Sequence, residues 1–347
     1  MIFPPKLIKR IRIDRGPVLL AQPIATKDSV YVGRGEIHRL NAGNLRKRWS
    51  KYHEDCIPGL VVGNLVIVGD GITETALDDD SGEVVWSTHS WGGPLWRGNL
   101  LRYSRDGVAF VEPSTGKVLD RVEVPEPASF HNLNGDILLI TTGEEVRIAA
   151  AYDLAERKVL WQRRLLEETV NRYQAPGNSM TLFGGSQAFI ATKGDVGIFG
   201  CSMADGSVLW HQRAFVSYDV PVAVNGRVYA LTTGLVPNLT DYARFMCFDE
   251  LTGEKIYETN HKELLAYRPS RPTVQDGYIF FGNDGGFVFA LRLSDGELVW
   301  SHRTSGQTWQ PTVFEDRVYV TSDDGHLLVF EGKKSLTTTT KARTHDG

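Results

Sequence analysis

In this 347-residue chain, large polar aromatics and arginines recur just ahead of alternating apolar runs. They are Tyr52 and His53, Trp91 with Trp96 and Arg97, Arg172 and Tyr173, Tyr218 and Asp219, Tyr267 and Arg268 with Arg271, and Trp309 and Gln310. Trp, Tyr and Arg are the residue types that dominate protein-binding hot spots. If each run is the first strand of a sheet arranged around an axis, these residues gather at one channel mouth and form a partner-binding face. The competing reading is that they pack neighbouring sheets and fill the rim. Neither reading assigns any of them a catalytic role.

Other chemistry is thinner. His53 and Cys56 are three apart, half of a zinc site, but no second pair at suitable spacing accompanies them, and no metal site is expected. Asp78-Asp79-Asp80 precedes Ser81-Gly82 and reads as a solvated turn, because calcium needs six to eight oxygens. Asn238-Leu239-Thr240 matches a glycosylation acceptor, which carries no meaning in a cytosolic chain. No phosphate-cradling glycine loop, HExxH helix or GxSxG elbow is present.

Composition sets further bounds. Lys and Arg total 38 against 42 Asp and Glu, a net charge of −4 that gives no reason to expect a nucleic-acid partner. Three widely spaced cysteines do not make a disulfide framework and are expected as packed free thiols. Lys6, Lys9, Arg10 and Arg12 interrupt the first apolar runs, so no signal peptide is visible, and no stretch reaches the ~18 apolar residues of a transmembrane segment. The expected location is cytoplasmic, or periplasmic if a leader was removed.

These residues must be positioned by a repeat. The phrase beginning at Pro272 and ending at Trp300 is two alternating strands, a turn and a strand ending in Trp, and the next copy opens at Pro311. Strands of β-branched and aromatic residues, such as Arg317 to Val320, are bounded by Asp-Gly and Gly-Gly turns. The strand-ending positions are Trp49, Trp86, Leu119, Trp161, Trp210, Tyr257 and Trp300, which lie 33 to 49 residues apart. A period near 40 with one Trp per unit predicts a β-propeller of four-stranded antiparallel blades, with the Trp packed between neighbouring sheets. The count points to eight blades, with seven as the alternative.

The ends of the chain fit together. The eighth copy stops near Gly332 without its last strand, while Leu7 to Ile13 alternates and belongs to no copy. That N-terminal strand is expected to complete the last blade and close the ring, which removes an exposed edge. Residues 1–332 then form a single domain, and 333–347 read as a disordered tail. Longer insertions at Gln162 to Ser179, with one or two helical turns, and at Leu235 to Arg244 are places where propellers elaborate recognition.

The pattern Ala290-Leu291, Asp295-Gly296, Trp300, with a Gly-x-Val/Ile-x-x-Leu strand before each turn, resembles the pyrroloquinoline-quinone (PQQ) type repeat family. Its members include quinoprotein alcohol dehydrogenases and the propeller subunit of the outer-membrane barrel-assembly machinery. The resemblance spans roughly residues 4–332 and implies an eight-bladed propeller. The enzymes are much longer and carry an adjacent Cys pair against the cofactor, calcium-binding carboxylates and a catalytic Asp; this chain has no Cys-Cys dipeptide. The assembly subunit begins with a lipoprotein signal and an acylated Cys, also missing here. A fold does not set a function. The expectation is a non-catalytic binding or scaffolding propeller, monomeric by itself, that recognises another protein as an assembly factor or as a toxin-neutralising immunity-type protein. No cofactor is expected; the alternative is an oxidoreductase-like protein binding PQQ with calcium.

Overall fold

The computed structural model describes residues 2–14, 21–89, 93–104, 107–123, 127–142, 148–164, 181–185, 188–193, 197–212, 221–232, 244–261 and 269–333. Among them the strands pair into eight four-stranded antiparallel sheets. Blade one holds β2–β5 (residues 24–52), blade two β6–β9 (57–89), blade three β10–β13 (95–122) and blade four β14–β17 (127–164). Blade five holds β18–β21 (181–212), blade six β22–β25 (222–260) and blade seven β26–β29 (273–303). Blade eight is β30–β32 (312–333) completed by β1 (Ile2–Arg12). The expected N-terminal closure is therefore present, with Leu7 opposite Phe330 and Arg12 opposite His326. The expected tail and both insertions fall largely outside the described residues.

Each blade is apolar on both faces, so its core lies between blades. Val30, Val32 and Leu40 of blade one pack against Tyr319, Leu327 and Val329 of blade eight, which joins the two ends of the chain. Ile67 and Ala76 of blade two meet Leu100, Ala109 and Val111 of blade three. Tyr229, Phe245 and Cys247 of blade six meet Ile279, Phe281 and Phe289 of blade seven. All three cysteines are free and buried, as the sequence implied.

A single joint recurs where blades meet. The indole N–H of Trp49 donates to the Asp79 carbonyl (2.7 Å), Trp86 to Pro113 (2.8 Å), Trp161 to Met203 (2.8 Å) and Trp210 to Glu250 (2.9 Å). Each acceptor lies in the turn before the outermost strand of the next blade. Tyr257 makes the same bond to Leu293 through its hydroxyl (2.8 Å). Three residues on, the turn places a residue with positive φ against the ring, and there glycine is required. A Cβ on Gly206 (φ +72°) would sit 2.6 Å from the Trp161 ring, and one on Gly116 (φ +68°) 2.6 Å from the Trp86 ring. Within its own blade the aromatic usually lies opposite a small residue, as Trp161 does Ala151 and Trp300 does Ala290, while Trp49 lies opposite Arg39.

Three junctions depart from this rule. The sequence pattern suggested Leu119 in the Trp position, but the register pairs Phe110 with Asp120 and Val111 with Val118. Leu119 is the extra residue of a β-bulge, and Asp120 occupies the Trp position. The turn of blade four correspondingly carries Arg157 (φ 56°) in place of glycine, and its guanidinium pairs with the Asp120 carboxylate. At the ring closure, Arg317 donates to the Ala42 carbonyl (2.5 Å), doing what the indole does elsewhere. Blade eight takes its outermost strand from the N-terminus and so has no turn there, and Trp300 packs edge-on against Phe330 at 4.8 Å instead.

Both halves of the joint are testable. Trp161→Phe keeps the ring but strips the Met203 carbonyl of its donor, costing about 1–3 kcal/mol. Gly206→Ala forces an L-residue into positive φ against the ring, costing about 1–3 kcal/mol or more. Equilibrium urea unfolding should show both losses; a change below about 0.5 kcal/mol in either would contradict the assignment.

Candidate functional site

In an antiparallel blade, the link from the outermost strand to the next blade's innermost strand leaves from the same face as the turn between the second and third strands. The remaining two turns lie on the opposite face. This sorts the expected rim residues. Tyr52, His53, Arg271, Trp309 and Gln310 lie on or beside the link face. Trp96 does not: it ends β10 (Leu95–Trp96), and Arg97 (φ 46°) sits in the hairpin that follows, on the opposite face. The expectation that both belong to the link face is therefore corrected. Trp96 donates to Asp136 Oδ1 (2.8 Å), Arg97 reaches Asp136 Oδ2 (2.9 Å), and the guanidinium lies 4.7 Å from the indole centroid. Together they clamp blade three to a hairpin of blade four. Trp91, Arg172, Tyr173, Tyr218, Asp219, Tyr267 and Arg268 lie outside the described residues.

Around Trp309 the link face is built for cohesion. The Thr308 hydroxyl and amide both meet the buried Asn283, and Trp309 N–H donates to the Thr321 carbonyl (3.2 Å). Gln310 Nε2 donates to the Pro272 carbonyl (3.2 Å), tying blade eight to blade seven, as Gln22 does blade one to blade eight through Thr312 (3.2 Å). The acidic run is used in the same way. Asp78 caps its own turn through Ser81, while Asp79 accepts from the Tyr31 hydroxyl and from Arg39 (2.9 Å) of blade one.

Blades one and two differ. Tyr52 ends β5 (Lys47–Tyr52) and is 73% exposed. The link behind it is held rigid: His53 N–H donates to the Gly35 carbonyl (2.7 Å) and Gly35 N–H to the Cys56 carbonyl (2.9 Å). Burial lowers the His53 pKa below the ordinary histidine value, and Lys51 adds to this. In blade two, Ile72 stands 65% exposed in a turn on the same face, where Asp70 Oδ1 accepts from the Ile72 and Thr73 amides. Ile57, also exposed, begins the innermost strand β6 (Ile57–Val62).

Beside these residues a cavity of about 340 Å³ opens, walled by Ile57, Leu60 and Ile67, with Gly59 and Gly71 at its edge and Glu74 as its acidic lining residue. Glu74 lies in β8 (Thr73–Asp78) and pairs with Arg102 of β11 (Asn99–Ser104), which is 1% exposed. Burial pulls the Arg102 pKa down, and Glu74 opposes the fall. The guanidinium also donates to the carbonyls of Leu101 (2.7 Å) and Gly93 (3.3 Å). Sequence reading passed over this pair. The available signal was a charge inside each strand, Arg102 alone in Asn99–Ser104 and Glu74 in Thr73–Asp78, which Asp78 ends, and no spacing rule connects two strands of different blades.

The fold and its joints define a closed β-propeller of PQQ-type repeats, and no helix among the described residues is long and apolar enough to cross a membrane. The family profile described as outer membrane protein assembly factor BamB matches residues 69–233, 144–304 and 243–338, and the chain belongs to that family. No curated protein matches the sequence. Among solved structures, BamB from Moraxella catarrhalis is 19% identical, with a TM-score of 0.69, covering 95% of this chain and 100% of that one. The computationally designed Ika8 protein is 12% identical, with a TM-score of 0.70 over 95% of this chain and 100% of its own. A europium-containing methanol dehydrogenase is 12% identical, with a TM-score of 0.64 over 91% and 84%. At these identities the structures establish the fold alone. The family description, which concerns the outer membrane, lends no support to the cytoplasmic expectation.

Two measurements check the electrostatics. Removing one partner of a buried ion pair strands the other, so Arg102→Met should cost about 3–5 kcal/mol, and adding Glu74→Leu should recover much of it. Additive losses in thermal melts would contradict the pairing. His38 is 2% exposed, hydrogen bonded to Ser50 (2.7 Å), and burial lowers its pKa, opposed by Glu36. The unfolded chain then binds a proton that the folded chain refuses, so this contribution to stability is full above about pH 6.5 and is lost below it. His38→Gln should flatten the acid side of the stability profile; an unchanged slope would contradict this.

Proposed function

We propose that the protein is a non-catalytic, protein-binding propeller of the assembly-factor kind, working as a single ring outside the cytoplasm. It engages its partner through the link face of blades one and two. The observation that carries this reading is the exposure of Tyr52, Ile57 and Ile72 on one face, beside a cavity, whereas Trp96, Arg97 and Gln310 among the described candidates are engaged between blades. Rigid apolar and aromatic anchors next to a pocket are what a binding hot spot requires. Family membership supports the same class of role.

A quinone-dependent oxidoreductase fits the residues poorly. The three thiols lie in separate parts of the ring, and burial pushes Cys201 up to about 12 and Cys247 to about 11. The carboxylates of Asp78 and Asp79 are engaged in a turn and an inter-blade contact.

Photo-crosslinking tests the reading. A benzoyl-phenylalanine at position 52 or 72 should give one discrete protein adduct in the native host, while the same group at position 97 on the opposite face should give none. Adducts only from position 97, or none from either face together with dye-linked dehydrogenase activity on adding PQQ and calcium, would overturn it.

A further inference from the structure

The net charge of −4 conceals a sharp asymmetry. Residues 1–52, which supply the closing strand β1 and blade one, carry 12 Lys and Arg against three Asp and Glu, a net +9, so the rest of the chain carries −13. Charge of one sign concentrated in a chain of the other sign marks a surface that meets an oppositely charged partner. Several of these cations are already matched: Arg39 by Asp79, Lys51 by Glu83 and Arg10 by Asp324. Lys6, Lys9, Arg46, Lys47 and Arg48 are all exposed, and none of the five forms an ion pair with a described residue.

The fold gathers these five on one rim. In blade two the outermost strand places Val84 opposite Leu77, Val85 in the bulge and Trp86 opposite Ala76. The same places in blade one hold Lys47, Arg48 and Trp49, preceded by Arg46. In blade eight they hold Leu7, Ile8 and Lys9, preceded by Lys6, with Lys9 in the Trp position. Lys9 lies opposite Val329 and Lys47 opposite Leu40, and both partners belong to the core that blades eight and one share. Directly opposed residues share a sheet face, so Lys9 and Lys47 approach the seam from its two sides. Leu7 (43%) and Ile8 (42%) stand exposed between Lys6 and Lys9. The patch stops at the flanking blades, where the place of Lys6 and Arg46 is taken by Glu83 in blade two and Glu297 in blade seven.

We propose that the outer edge of blades eight and one docks on a bilayer bearing anionic phospholipids, the five cations meeting headgroup phosphates while Leu7 and Ile8 enter the headgroup layer. Cations interleaved with aliphatic side chains are what an interfacial contact requires, one supplying attraction and the other apolar burial. Single-stranded nucleic acid would need exposed aromatics to stack on, and neither Lys6 to Arg12 nor Arg46 to Arg48 contains one. Lys47 begins β5 and Tyr52 ends it, about 17 Å away along the strand, so lipid at one end leaves the link face clear.

Flotation of the full chain with vesicles tests this, using phosphatidylcholine alone and three parts phosphatidylcholine to one part phosphatidylglycerol. The chain should float only with the anionic vesicles, and less as salt rises. Lys47→Glu with Arg48→Glu should lower the partition coefficient about tenfold or more. The same charge change at exposed positions of blades three and four, Lys117→Glu with Lys158→Glu, should leave it within about twofold. Ile8→Ser should lower it about fivefold without altering the salt dependence. Should the paired reversal lower the melting temperature, Lys47→Gln with Arg48→Gln carries the same test, with a loss of about fivefold or more. No flotation, equal flotation with both vesicle types, or equal losses from the two paired reversals would overturn the proposal. So would tighter binding to a poly-deoxythymidine oligonucleotide than to the anionic vesicles, and unchanged partition of Ile8→Ser would overturn the seating of β1.

Discussion

The indole N–H that four of the blades donate to a turn carbonyl of the next is the interaction on which the ring depends. A propeller sheet is apolar on both faces and cannot stand alone, so its stability lies in the layer shared with its neighbour. Apolar packing alone is tolerant of sliding. A directional bond to a single carbonyl, with a glycine that must present its bare backbone to the ring, fixes the angle and height at which successive blades meet. Where the indole is missing, the contact is rebuilt by other chemistry: an ion pair between Asp120 and Arg157, and a guanidinium from Arg317 at the closure. The conserved quantity is the link between blades, not the residue that makes it.

That constraint explains where a binding site can be. Among the described residues, several that looked chemically promising are consumed by cohesion, as with Trp96 and Arg97 on Asp136, Gln310 on Pro272, and Asp79 on Tyr31 and Arg39. The sector of blades one to three stands apart. There the link is strapped to the Gly35 turn, leaving Tyr52 and Ile72 outward, and a buried ion pair lies behind an open cavity. A buried pair of this kind is costly to desolvate and contributes little to stability by itself. Its position at the wall of a cavity is what gives it a functional reading.

Much of the architecture was legible because it is periodic. The strands, their turns and the Trp recur in sequence, and the leftover alternation of Leu7 to Ile13 announced the closure that the register of β1 on β32 (His326–Lys333) displays. Leu119 carries the apolar side chain, but a β-bulge adds one residue before the Trp position in the outer strands, so the position four after the glycine is Asp120. The site was less legible. Tyr52 was visible as an aromatic at a link, but placing Trp96 and Arg97 on the opposite face required knowing that the short strand β10 had already begun. Glu74 and Arg102 meet across two blades, and only the three-dimensional ring brings them together.

Hydrogen exchange of the indole protons tests the central claim most directly. If the joints hold the ring, the N–H groups of Trp49, Trp86, Trp161 and Trp210 should exchange only with global unfolding, as slowly as core amides such as those of Val68 and Ala230. Indole protons that exchange orders of magnitude faster than those amides would show that the ring holds together without these bonds.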